Sequence, residues 1–152
     1  VSKAEQFLID NGYDHMQPSY YQINDNVLVA NFAYSQNGVI CYPDLIKVSV
    51  ALDNGRIVGF ESAGYISSHT ERTIPETTIS ESEATEKLYS DLTVLSHQMV
   101  IIPSQGENEI YCHEFKCSLS DGRHYILYVN AQTGVEEKIL ILLEDETGTL
   151  TL

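Results

Sequence analysis

Two spacings of apolar residues alternate along this chain. Near the start, Ala4, Phe7 and Leu8 recur at three- and four-residue intervals behind Ser2-x-x-Glu5, the pattern of a helical capping box, and ahead of Asn11-Gly12, a sequence that ends helices. From Ile46 the interval becomes two. Ile46, Val48, Val50 and Leu52 alternate with Lys47, Ser49 and Ala51, which predicts a strand with one face buried. Asp53-Asn54-Gly55-Arg56 then supplies a hairpin turn, because Asn and Gly tolerate positive φ, and Ile57, Val58 and Phe60 form the return strand.

The second half repeats the plan. Ser80-x-x-Glu83 opens a helical pattern through Ala84, Leu88 and Leu92. Tyr125, Leu127 and Val129 alternate with Ile126, Tyr128 and Asn130, the turn Gln132-Thr133-Gly134-Val135 follows, and a return strand runs over 136–143. Each half also holds an earlier hairpin. Asn24-Asp25-Asn26 separates 17–23 from 27–34, and Pro103-Ser104-Gln105-Gly106 separates 94–102 from 110–119. The pattern therefore predicts an α+β fold of two tandem units, each a helix packed on an antiparallel β-meander. The first spans 1–68, a polar linker with Pro75 spans 69–78, and the second spans 79–152. A helix covers only one face of such a sheet, so open faces and edges are left for a partner or a second copy of the chain in a homodimer.

Charge narrows the partners. With 22 acidic and 8 basic residues among 152, the formal charge is −14, which repels the phosphate backbone of nucleic acids and an anionic membrane surface. No apolar run is long enough to span a bilayer. The chain begins at Val1, which reads as a piece of a longer protein with any membrane anchor or export signal upstream.

Candidate chemistry is sparse. Cys41, Cys112 and Cys117 are odd in number, and the five-residue offset of Cys112 and Cys117 sets them on opposite faces of one strand, unsuited to a disulfide; buried thiols are expected. His15, His69, His97, His113 and His124 are scattered with no His-x-x-x-His pair, and adjacent Cys112 and His113 are expected as one buried thiol and one rim histidine. Cys41 lies in a turn-like Val-Ile-Cys-Tyr-Pro stretch with no helix behind it, and no Gly-x-Ser-x-Gly elbow occurs. The expectation is no catalytic residue, no metal and no cofactor. Ten tyrosines without a tryptophan suggest half-exposed aromatic faces, and Tyr20, Tyr21, Tyr42 and Tyr65 are the candidate interaction surface.

The stretch 42–60, from Tyr42-Pro43-Asp44 through Asp53-Asn54-Gly55-Arg56 to Phe60, resembles the PepSY repeats of the YpeB family of spore germination proteins. Gly12-Tyr13, His15-Met16-Gln17-Pro18, Gly64-Tyr65, Arg72 and Pro75 extend the resemblance, as do Glu114-Phe115-Lys116, Tyr128-Val129-Asn130-Ala131 and Thr133-Gly134 in the second half. The two units would then be tandem PepSY-like repeats. The resemblance implies a non-catalytic protein-interaction domain outside the cytoplasm, at the outer face of the inner spore membrane. It further implies that the domain stabilises or restrains the cortex-lytic enzyme SleB in dormancy and supports cortex hydrolysis at germination. A secreted peptidase-inhibitory PepSY domain is the alternative, separable by titration into a metallopeptidase assay. A sensor of a small ligand or cation, motivated by the acidity, is separable by calorimetry with calcium or muropeptides.

Overall fold

The computed structural model describes residues 1–151, so Leu152, the end of the second expected unit, lies outside the described residues. In chain order the elements are α1 (Ser2–Asp10), β1 (Met16–Asn24), β2 (Val27–Gln36), β3 (Val39–Ala51), β4 (Ile57–Glu61), α2 (Ala63–Ser68), α3 (Glu81–Glu86), β5 (Thr93–Pro103), β6 (Glu109–Ser118), β7 (His124–Asn130), β8 (Glu136–Asp145) and β9 (Gly148–Thr151). One compact unit is formed by Val1–Glu71 with Glu144–Leu150, and a second holds Arg72–Leu143.

The α+β expectation of two helix-on-meander units is overturned. Strands take 52% of the chain and helices 14%, so the fold is mostly β. Two local causes explain the difference. The helical spacing of Ala84, Leu88 and Leu92 is not realised beyond Glu86; the amides of Leu88 and Leu92 reach back only three residues, to Thr85 and Tyr89, as the polar Ser90-Asp91 pair turns the chain toward β5. The segment before Ile46, expected as a turn, is strand. Asn37 and Gly38, with φ of 50° and 82°, make the tight hairpin that joins β2 to β3, so β3 begins at Val39.

In the first unit β4, β3, β2 and β1 pair antiparallel in that order, and β9 joins β1 through Gln22 opposite Gly148. The β1–β2 turn has positive φ at Asp25 and Asn26, as the turn-rich triplet there predicts. Ala33 faces Leu45 but Tyr34 faces Cys41, so Tyr42, Pro43 and Asp44 bulge out of β3. Pro43 has no amide hydrogen to give a ladder, which suits it to that place. Ala4 and Leu8 of α1 pack on Leu28, Ala30, Phe32, Ile46, Val48 and Val50, and each large apolar side chain buried there stabilises the unit by ~1.5–3 kcal/mol.

In the second unit β5, β6, β7 and β8 form consecutive antiparallel pairs. Ser80 caps α3 by accepting from the Glu83 amide, while the Glu83 carboxylate accepts from the Ser80 amide. Ala84 packs with Phe115, Cys117, Leu127 and Val129. The extended chain leading to α3 is tied to the sheet: Arg72 donates twice to Glu109 at 2.8 Å, and the amides of Thr78 and Ile79 donate to the Ala131 carbonyl.

Candidate functional site

In the first unit, the β3 bulge buries the Asp44 carboxylate completely, and His69 Nδ1 lies 2.8 Å from its Oδ2. Gly64 makes this possible. A β-carbon there would stand 3.2 Å from the carbonyl oxygens of both Pro43 and Leu45, a tight approach, so glycine suits the place where α2 presses onto the bulge and delivers His69 at its end. The His69 ring stacks on Tyr65 at 4.2 Å and meets Tyr34 edge-on at 4.6 Å, and Tyr65 in turn meets Tyr13. Burial, with the Asp44 carboxylate next in weight, pushes the Tyr65 phenol above its ordinary value, so it stays a neutral donor.

In the second unit, polar groups run inward in a chain. His113 Nε2 lies 2.7 Å from the Ile79 carbonyl oxygen, which can only accept, so that nitrogen carries the proton. The Nδ1 of neutral His113 is then an acceptor, and His97 Nε2 donates to it at 2.8 Å. His97 Nδ1 is left 3.4 Å from Glu81 Oε2, a contact completed only when His97 is protonated. Burial lowers the His97 pKa and the positive form of His113 would lower it further, while Glu81 pulls it up; burial wins.

The sign of the resulting pH dependence follows. A histidine held below its ordinary 6.5 in the folded chain takes a proton more readily when unfolded. Its contribution is full above that value and is lost as pH falls through it toward the lower folded value. Urea melts across this range should show stability falling with acid, and His97→Gln should flatten that part of the slope. Equal slopes for the two chains would show that His97 does not carry it.

The four tyrosines expected as an interaction surface are spread over three elements, β1, β3 and α2. Tyr20 and Tyr21 sit at a β1 bulge, where Pro18 faces Phe32 and Tyr21 faces Ala30; Tyr21 is exposed and Tyr20 half-buried. Tyr42 is half-buried in the β3 bulge, and Tyr65 belongs to the Asp44–His69 cluster. The histidine chain is not apparent in residue spacing alone. His113, expected at a rim, is buried because both faces of β6 are covered. The register set by the β5–β6 turn puts His97 opposite Phe115, so His97 and His113 are diagonal neighbours, and that register was the available signal. All three cysteines are buried thiols outside any disulfide, and the Cys112 thiol is pushed up to about 12 by burial and the nearby Glu137 and Glu114, so it remains protonated.

The surface of the second unit carries a different feature. Ile139 faces Leu127 and Ile141 faces Tyr125, so Ile139, Ile141 and Leu143 lie on the sheet face that α3 covers. With six residues, α3 covers β6 and β7 and leaves β8 bare; Ile139, Ile141 and Leu143 are 39%, 41% and 48% exposed. Beside them a cavity of about 230 Å³ opens between Tyr89 and Leu92 on one wall and Leu119, Tyr125 and Ile139 on the other. Such a stripe suits contact with another macromolecule.

Comparison with known proteins bears out the resemblance seen in the sequence. Residues 1–75 match the family model described as YpeB sporulation, PepSY1 and PepSY2 domains. A sporulation protein YpeB of Halalkalibacterium halodurans is 35% identical over 145 residues, covering 95% of this chain and 32% of the relative. That of Bacillus subtilis is 32% identical over 140 residues, covering 91% of this chain and 31% of the relative. The solved Bacillus megaterium YpeB C-terminal domain superposes with a TM-score of 0.84 at 31% identity, over 94% of this chain and 63% of that one. This chain thus spans about a third of the length of the curated relatives it matches. On these matches, the chain belongs to the YpeB family of sporulation proteins and to the PepSY-repeat region of that family.

Proposed function

We propose that this chain is a non-catalytic protein-interaction domain of a spore germination protein, located outside the cytoplasm at the outer face of the inner spore membrane. Its partner in this reading is the cortex-lytic enzyme SleB, which it stabilises or restrains during dormancy and whose cortex hydrolysis it supports at germination. The observation that carries the binding role is the bare Ile139–Ile141–Leu143 stripe, an apolar surface continuous with a sheet core. The relatives support the setting, since they are named sporulation proteins. The two polar clusters support a scaffolding role, because their histidines are spent on Asp44, on each other and on the Ile79 carbonyl.

The test is site-specific photocrosslinking in intact dormant spores from position 141, with position 47 as the control. Crosslinked peptides should join position 141 to the hydrolase, and spores lacking the protein should hold less of that enzyme. Normal hydrolase content in those spores, together with no crosslink to it from either position, would end this reading.

A further inference from the structure

We infer that the β8 stripe is the seat of an amphipathic helix with basic flanks, presented by the partner protein; this deepens, and rests on, the protein-binding reading above. Geometry limits the occupant first. The stripe is a sheet face, which offers side chains and no free backbone groups, so its mate must bring apolar side chains of its own. Ile139, Ile141 and Leu143 alternate along the strand, a run of about 14 Å at ~3.4 Å per residue. A helix of roughly ten residues has that length at 1.5 Å per residue. Laid beside α3, it would do for β8 what α3 does for β6 and β7, with one side chain entering the cavity between Leu92 and Ile139.

Charge limits it next. Glu136 faces Val129 and so shares the side of β8 that carries the stripe, at one end. Asp91 stands on the opposite wall of the cavity. Three cations lie near this rim. Arg123 lies 6.0 Å over the Tyr125 ring but is bound to Asp121 at 2.6 Å, and Lys138 faces Tyr128 and therefore points to the other side of the sheet. Lys87 lies by Gly134, beyond one end of the stripe. An apolar strip bordered by Glu136 and Asp91, on a chain of charge −14, complements leucines flanked by lysine or arginine and repels the acidic counterpart.

The experiment titrates the isotope-labelled 152-residue chain with three synthetic fourteen-residue peptides followed by amide shifts. The first is an amphipathic Leu/Lys helix, the second has Glu for every Lys, and the third is a scrambled Leu/Lys sequence of equal charge. The first peptide should move the amides of Ile139, Ile141, Leu143 and Leu92. Ile141→Asn should weaken it by about tenfold, the size of losing one partly exposed isoleucine contact. Ile139→Ser gives the same readout independently, and unchanged distant shifts show that each variant is folded. Three results would each overturn the inference: equal binding of the scrambled peptide, equal binding of the acidic peptide, or no response at these amides. Should it fail while hydrolase crosslinks persist from position 47, the binding role stands and only this seat is lost. If the peptides bind as expected but spores yield no hydrolase crosslink, the seat stands and the named partner falls.

Discussion

Phe115→Ala should lower the unfolding free energy by about 3–5 kcal/mol, the usual loss for a fully buried phenylalanine truncated in a core. Phe115 has no exposed surface and packs with Ala84, Cys117, Leu127 and Val129, so it joins α3 to the middle of the second sheet. Its ring also lies 4.9 Å from that of His97 and is stacked near His113, so the cavity opens directly beneath the histidine chain. Two readouts follow. Urea melts should show a lowered midpoint, and histidine proton resonances should lose the slowly exchanging His113 Nε2 proton held by the Ile79 carbonyl. Phe115→Leu keeps most of the volume and should cost less than about 1.5 kcal/mol with that resonance retained. An alanine variant as stable as the leucine variant would show that the ring is not the support described here.

Where side-chain spacing determined structure, the sequence was legible. The alternation of Ile46, Val48 and Val50, the Thr133-Gly134 turn and the Asn24-Asp25-Asn26 turn appear as read, because each depends on contacts within a few residues; at Asn54-Gly55 only Gly55 takes positive φ, and a turn over 52–56 replaces the tight Asn-Gly hairpin. The fold class was misread where local pattern and tertiary demand diverge. Ala84, Leu88 and Leu92 keep helical spacing, yet six helical residues suffice to seat Ala84 on Phe115, and the rest of the pattern serves as packing from a turn. Asn37-Gly38 carried the same hairpin signal as Asn54-Gly55, but Pro43 masked it by making the strand after it look like a loop. Site residues were harder still. Asp44 and His69 are 25 residues apart and meet only because a three-residue bulge and a close-packed glycine bring α2 onto β3. The bare stripe on β8 follows from the shortness of α3, which helical periodicity overstated.

The C-terminal strand offers a test of the first unit at a single backbone position. Gly148 sits opposite Gln22 with φ of 139°, a conformation that residues with a β-carbon rarely adopt. A β-carbon added there would fall on the Tyr21 carbonyl oxygen and lie 2.8 Å from Gln22 Cα, both of them backbone and neither able to swing aside. Gly148→Ala must therefore push β9 off β1 and break the bond from the Ile23 amide to the Thr147 carbonyl, which is 2.6 Å long. Backbone strain of about 1–3 kcal/mol, with about 1 kcal/mol for the hydrogen bond, puts the expected loss near 2–4 kcal/mol, relieved in part if β9 detaches. Gly12→Ala is the control: Gly12 also has positive φ, but nothing lies within 4 Å of its would-be β-carbon, so only the left-handed backbone penalty of about 1 kcal/mol applies. Hydrogen exchange separates the two. The Ile23 amide should lose protection in Gly148→Ala and keep it in Gly12→Ala, whereas full protection in both would mean that β9 tolerates a side chain where the geometry leaves no room for one.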